Sequence, residues 1–369
     1  MTLFIFFGCA QPQSNLPEYN EELSLEEQRI QSQLFAQSWL DAYLELSEIG
    51  YRILFGAADL CLKEDQIYDI GIDVATKYSG PEDIREELVT ILDLNEGLTV
   101  VAVGQNTPAS QAGFRRGDKI IKIDNTIAPF GEAAPTEFYK LMKLNFAKSY
   151  DFLIQREGQE ILISTVTSKR CRFGHTVDFD NNTFNAFADG ENMYFSLRIT
   201  KWLLKEELGM ELVYAHELGH NANRHIDDKK SNAAIGMGVG LLAGILLGVN
   251  DDTAIDLMSE VGAFGASRYS VAYENEADYL SLYALALSGY NIEGAVSFWR
   301  KFAVEVPNSI YISTTHPTSS ERFVRMEATV REIQEKINSN IYAFDFLILT
   351  CIKKVIRTID TGNLCNATP

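Results

Sequence analysis

The spacing of apolar residues changes character along the chain. From about residue 24, Leu34, Trp39, Leu40, Tyr43, Leu44, Ile49, Ile53 and Leu54 recur at mixed three- and four-residue intervals with acids between them. That period predicts a long helix that packs by one face and solvates the other. Ser24 and Glu27 fit a capping box at its start, Ser24 as N-cap. From about Asp65 the pattern shortens into β-like runs at 69–73, 97–103, 117–125, 149–155 and 160–165, with one helical stretch at 136–145. Beyond Cys171 it turns mainly helical, apart from an extended region at 185–188 and 192–196; a clear helix is predicted from about 270 to 288. No internal repeat is present. The fold class expected is α+β.

Composition narrows this picture. Of 369 residues, 46% are hydrophobic and 11% aromatic, enough for a real core and against a mainly disordered chain. The length suits two or three domains. The net charge of −19 excludes a general nucleic-acid binder, because neutralising phosphates takes clustered Lys and Arg. The charge is concentrated at the front: residues 1–98 hold 19 acidic and 5 basic side chains, a net of −14.

Chemistry is concentrated in His216-Glu217-Leu218-Gly219-His220. On a helix, positions i and i+4 share a face, so both imidazoles can reach one metal ion, with Glu217 beside it as general base. A catalytic zinc usually has three protein ligands and an open fourth position. His225 comes five residues after His220, and Asn223 stands where the metzincin pattern has Gly, so that class fails. His225 is expected to be exposed or to sit behind the ligands. A better third ligand is Glu274 in Tyr273-Glu274-Asn275-Glu276-Ala277-Asp278, with Asp278 one turn on to accept a hydrogen bond from a ligand histidine.

The series HELGH, then ENEAD about 55 residues later, then His316-Pro317 and Arg322, resembles the HtpX-like and CAAX-prenyl-protease-like zinc metallopeptidases, the gluzincins of peptidase family M forty-eight. The resemblance spans roughly 171–330 and includes an Asn-Ala-Phe-Ala segment at 185–188. It implies one zinc per chain held by His216, His220 and Glu274, with Glu217 as general base and Asp278 behind the ligands. It implies that His316 stabilises the oxyanion or, in some periplasmic members, caps the zinc, and that Arg322 braces it. An extended substrate would pair with an edge strand near Asn185, Met193 and Tyr194. The stretch from 97 to 125, with its Pro108-Ala109-Ser110-Gln111-Ala112-Gly113 turn and Gly117-Asp118 turn, resembles a PDZ domain of the bacterial protease-associated type. Such a domain implies peptide binding at a sheet edge beside 69–73, and Gly117 would supply a positive φ. A small β spacer is the alternative.

Five cysteines lack any CxxC spacing, against a zinc ribbon or thioredoxin-like motif. Cys9 follows the apolar run 2–8 and precedes a polar stretch, like the end of a bacterial lipoprotein signal; a lipidated, envelope-anchored N-terminus outside the cytoplasm is expected. Cys61, Cys171, Cys351 and Cys365 then allow three full pairings, of which Cys351 with Cys365 is the most local. Residues 233–249 carry no charge and place Gly240, Gly244 and Gly248 four apart. They are short of the roughly 20 residues that span a bilayer, so a buried hairpin, a membrane-dipping segment and a span compete.

The organisation expected is a signal (1–9), a linker (10–23), a packing helix (24–62), a PDZ-like domain (63–168), a mainly helical metallopeptidase domain (169–335) and a C-terminal segment (336–369). The function expected is zinc-dependent endopeptidase activity on envelope or misfolded proteins, with the PDZ-like domain selecting or regulating. The alternatives are a latent or non-cleaving chaperone-type module on the same scaffold and a non-proteolytic metal sensor.

Overall fold

The computed structural model describes residues 19–181, 183–227, 270–305, 316 and 319–339. Cys9, residues 233–249, Pro317, Cys351 and Cys365 lie outside the described residues.

The chain opens on α1 (Glu21–Gly56), a helix that starts three residues before Ser24. Asn20 takes the N-cap, its Oδ1 accepting from Leu23 N–H at 3.1 Å, while the Ser24 N–H already bonds back to the Asn20 carbonyl. Asn caps as well as Ser does, and Glu21 and Glu22 then sit where the helix dipole favours acids. Burial begins at Ala36, so Leu34, assigned by spacing to the packing face, stays 65% exposed. From Trp39 to Leu54 the apolar face packs into the main core.

A two-stranded neck leads into a β module. β1 (Gln66–Asp69) pairs antiparallel with β8 (Ser168–Cys171), Gln66 opposite Cys171. Between them run β2 (Ile72–Ala75), α2 (Arg85–Ile91), β3 (Thr99–Val103), α3 (Pro108–Ala112), β4 (Lys119–Ile123), β5 (Thr126–Ile127), α4 (Ala134–Met142), β6 (Ser149–Arg156) and β7 (Gln159–Val166). The strand order is β2-β3-β4-β6-β7, with β5 off β4. Alternating side chains of β6 and β7 and the inner face of α4 enclose a separate core of Ile72, Val100, Phe114, Ile120, Phe138 and Phe152 among others. α4 begins two residues before the stretch predicted, because Pro135 favours its first turn. Gly117 has φ +91° ahead of Asp118, whose carboxylate bonds the Arg115 N–H and pairs with Arg156.

The neck is pinned at several points. Cys61 and Cys171 form a disulfide with Cα atoms 5.8 Å apart. Of the three full pairings, this bridge belongs to the one that also joins Cys351 with Cys365, and it forms because the two ends of a 110-residue excursion return to one place. Inside the neck, buried Arg170 bonds buried Asp69 at 2.7 Å, and Arg172 reaches Asp65 at 2.8 Å.

The remaining elements surround α1. β9 (Gly174–Asp178), β10 (Ala186–Ala188) and β11 (Asn192–Ser196) form a sheet ordered β10-β11-β9, followed by α5 (Leu197–Leu203) and α6 (Gly209–Ala222). Helices α7 (Val271–Leu287), α8 (Ala295–Glu305) and α9 (Ser320–Asn338) complete the described body. Gly50 on α1 lies against the Tyr214 ring of α6, where a Cβ would come within 2.6 Å. Arg52 of α1 donates to the carbonyls of Ser288 and Gly289 at the end of α7. Among the described residues, no helix is long and apolar enough to cross a membrane.

A candidate metal centre between two helices

α6 carries His216, Glu217 and His220, all buried, and runs across α7, which carries Glu274 and Asp278. The two helices approach closely because position 219 has no side chain: a Cβ there would meet the Ala277 carbonyl oxygen at 2.9 Å and its Cα at 3.0 Å. Ala277 is the smallest side chain that continues α7 at that contact. Gly219 and Ala277, the inner letters of the two motifs, therefore set the distance between the outer ones.

That approach gathers His216, His220, Glu274 and His316, with one ligand atom of each lying within 4.8 Å of the others. His216 Nε2 is 3.1 Å from His220 Nε2, 3.4 Å from Glu274 Oε2 and 3.3 Å from His316 Nδ1. Glu274 Oε1 is 3.4 Å from His220 Nε2 and 3.0 Å from His316 Nδ1. Zinc bonds of about 2.0–2.1 Å in a tetrahedron put neighbouring ligand atoms roughly 3.3 Å apart, so the donor set and its spacing fit that ion. No ligand-free explanation of four such groups facing one another is as simple, since two buried imidazoles, a partly buried third and a buried carboxylate rarely converge without a cation.

Charged groups behind the ligands compensate one another. Asp278 Oδ1 lies 3.0 Å from His216 Nδ1, which turns the other ring nitrogen toward the centre. Arg322, expected to brace His316, grips Asp278 with Nε and Nη2, both at 2.7 Å, and reaches Glu274 Oε2 with Nη1 at 2.8 Å. The reason is reach: Arg322 enters from the first turn of α9, directly over the acidic turn of α7. Burial alone would raise the carboxyls of Glu274 and Asp278, but His316 and Arg322 beside the first, and Arg322 and His216 beside the second, hold both below the ordinary range. Burial depresses His220, with Glu274 opposing it only in part. Trp299 of α8 walls the site, its ring 5.3 Å from that of His216.

Glu217 stands beside this group. Its Oε1 is 3.6 Å from His316 Nε2, and its buried Oε2 has no hydrogen-bond partner among the described residues. Burial holds its carboxyl above the usual value, against the lowering influence of His316 and His216.

One expectation changes. Met193 and Tyr194 lie on β11, which is the middle strand of its sheet and has no open edge. β9 pairs with it in parallel on the far side, Met193 opposite His175 and Tyr194 opposite Thr176. The outer strand beside α6 is β10, where Asn185 leads in; no strand among the described residues pairs with its other side. Bonds from Ser196 to Asn185 and from Asp189 to Asn192 set the hairpin register, which turns the backbone groups of Ala186 and Ala188 outward. Of the two places expected for His225, the structure gives the one behind the ligands: its side chain is 1% exposed and touches His220. In the β module, the outer edge of β2 is taken up by hydroxyls. Tyr51 of α1 donates to the Ile72 carbonyl at 3.2 Å, and the Val74 N–H donates to Tyr139 Oη at 3.3 Å.

Residues 153–330 match the model of Peptidase family M48, from β6 of the β module to α9. This match and the histidine and glutamate group support a metallopeptidase. No curated protein matches the chain. Among solved structures, an HtrA-type protease, AlgW, with a tripeptide is 21% identical, with a TM-score of 0.22 over 28% of this chain and 32% of its own. A variant of it with a decapeptide gives the same identity and TM-score over 28% of this chain and 30% of its own. The chain spans about a third of the length of these structures.

Proposed function

With residues 153–330 matching the M48 peptidase family, we propose that this chain is a zinc-dependent endopeptidase acting on protein substrates. The observation that carries the reading is the convergence of His216, His220, Glu274 and His316, one ligand atom of each within 4.8 Å of the others, with buried Glu217 alongside. When bound there, zinc supplies a polarised scissile carbonyl and a water of lowered pKa. Glu217 takes the proton of the attacking water and returns it to the leaving amine; a carboxyl raised by burial suits a group that must do both. Asp278 and Arg322 hold His216 and Glu274 in place. The extended substrate pairs with β10, whose outward groups at Ala186 and Ala188 offer one strand edge.

His316 supports a second reading of the resting state. Its Nδ1 stands at ligand distance from the group, where it would close the fourth position that a substrate needs. The enzyme then rests capped and acts when His316 withdraws.

The PDZ-like module is proposed to select or regulate substrates. A groove of about 660 Å³ between α1, the module and β9, lined by Trp39, Tyr43, Val74 and Val177 with Asp83 and Asp180 at its rim, supports a role for that junction. The Cys61–Cys171 disulfide supports an oxidising compartment, in keeping with an envelope lipoprotein anchored through Cys9. Membrane contact through 233–249 belongs to the same proposal.

Zinc content and chelator-sensitive casein cleavage test the central claim. Wild type and Glu217→Gln should each bind one zinc, and the variant should lose cleavage by about a hundredfold or more. Cleavage that survives in Glu217→Gln sinks the assignment.

A further inference from the structure

The two histidines of α6 are supported differently from behind. His216 meets a carboxylate directly, that of Asp278. His220 meets a second imidazole: its Nδ1 lies 3.0 Å from Nδ1 of His225, and His225 Nε2 lies 3.2 Å from Oε2 of Glu276. His225 is buried and stacked on Tyr273, with ring centroids 4.5 Å apart and planes 23° apart. Glu276 is half exposed on α7.

A continuous helix would not make this contact. At 100° per residue, position i+5 lies about 140° around the axis from position i. α6 ends at Ala222, and Arg224 then adopts a left-handed conformation with φ +58°. Its guanidinium is tied to Glu64 at 3.1 Å and Asp65 at 3.2 Å, beside the neck of the β module. This break turns His225 back underneath His220. A left-handed Arg is unfavourable, so the conformation is held by these contacts.

Proton placement follows from the geometry. A His220 that turns the Nε2 lone pair toward the metal group carries its proton on Nδ1. That proton can be donated to His225 only if His225 Nδ1 is bare, which leaves the His225 proton on Nε2, facing Glu276. One arrangement of donors and acceptors satisfies the whole series.

We propose that His225 and Glu276 are positioning residues for His220: together they fix its tautomer and ring orientation for the metal. The inference rests on the zinc-peptidase reading. Residues in this position behind a ligand are worth about 10–100-fold in metal affinity.

The test uses the full chain, stripped of metal and titrated with zinc against a chromogenic chelator, and separately loaded with Co²⁺ to record its visible ligand-field bands. His225→Ala should weaken zinc binding about 10–100-fold and change the Co²⁺ spectrum. His225→Asn, whose Oδ1 can stand where Nδ1 stood and accept from His220, should recover most of the affinity and the spectrum. Glu276→Ala should fall between wild type and His225→Ala. Zinc affinity and Co²⁺ spectrum unchanged in His225→Ala would overturn the relay, as would a loss in His225→Asn equal to that in His225→Ala. Should His225→Ala not fold, Glu276→Ala at its half-exposed site decides: unchanged affinity there overturns the proposal, and weakened affinity supports it. A wild-type chain that binds no zinc refutes the peptidase reading itself, a separate result.

Discussion

His316 offers one ring nitrogen to each half of the site, Nδ1 to Glu274 and Nε2 toward Glu217. A side chain so placed is either a fourth ligand or a donor to the oxyanion, and the two roles predict opposite effects. From the Nδ1 distances, His316→Ala should release zinc about tenfold more readily and raise casein cleavage. Reduced cleavage with unchanged zinc affinity would assign the oxyanion role instead. A second histidine makes a prediction about stability. His175, partly buried in β9, contacts Tyr214 Oη at 2.9 Å and Ser47 Oγ at 3.2 Å. Burial, with Arg170 and Lys143 nearby and only Asp73 opposing, lowers its pKa to about 4. The unfolded chain binds that proton near pH 6.5, so the contribution of neutral His175 is complete above 6.5. It is lost as pH falls toward 4, by about 3 kcal/mol in all. Urea midpoints at pH 7.5 and 5.0 should diverge less in His175→Gln than in wild type; equal divergence would refute it.

At the scale of elements, the crossing of α6 and α7 governs the metal group. Gly219→Ala puts a methyl against the Ala277 backbone, which has no flexible end to yield, so the helices must part by some tenths of an ångström. Zinc affinity should fall about tenfold or more, read by chelator competition, while α6 itself gains helix propensity. Unchanged affinity would mean that the crossing is looser than its contacts imply. The same crossing explains what the sequence reveals. The i, i+4 spacings of His216 with His220 and of Glu274 with Asp278 are local properties of a helix, so they are legible along the chain. Arg322 on Asp278, and His225 under His220, depend on where helices end and meet. The first needs the approach of α9, and the second the left-handed turn at Arg224, which no propensity announces. β11 reads as an edge because its partner β9 lies before it in the chain, and Gly174-His175-Thr176-Val177-Asp178 has only a weak alternation. The start of α1 is illegible for a similar reason: two cap residues, Asn20 and Ser24, lie four apart, and composition cannot rank them.

For the whole molecule, the junction between module and core decides how far one can influence the other. Two cores are separate, yet α1 belongs to one and touches the other: Tyr43 and Tyr51 both bond Asp73 of β2, at 3.0 and 2.6 Å. The neck adds a buried ion pair and a disulfide that closes 110 residues. Replacing Cys61 and Cys171 by Ala should lower stability by up to about 5 kcal/mol through the loop closed in the unfolded chain. Thermal unfolding with and without reductant measures it. A wild type indifferent to reductant would show that the neck's strand pairing and ion pairs hold it without the disulfide.

The 5.8 Å between the α-carbons of Cys61 and Cys171 also bears on how such a molecule can be taken apart. The chain leaves the core and re-enters it at nearly the same spot, so the path through the core is continuous without the intervening residues. A turn of a few residues could join the two sides, and a different module could be spliced in there without rerouting a single core helix. What reads along the sequence as an uninterrupted stretch of one protein is, in space, an excursion that leaves and re-enters the core at one place and leans on α1.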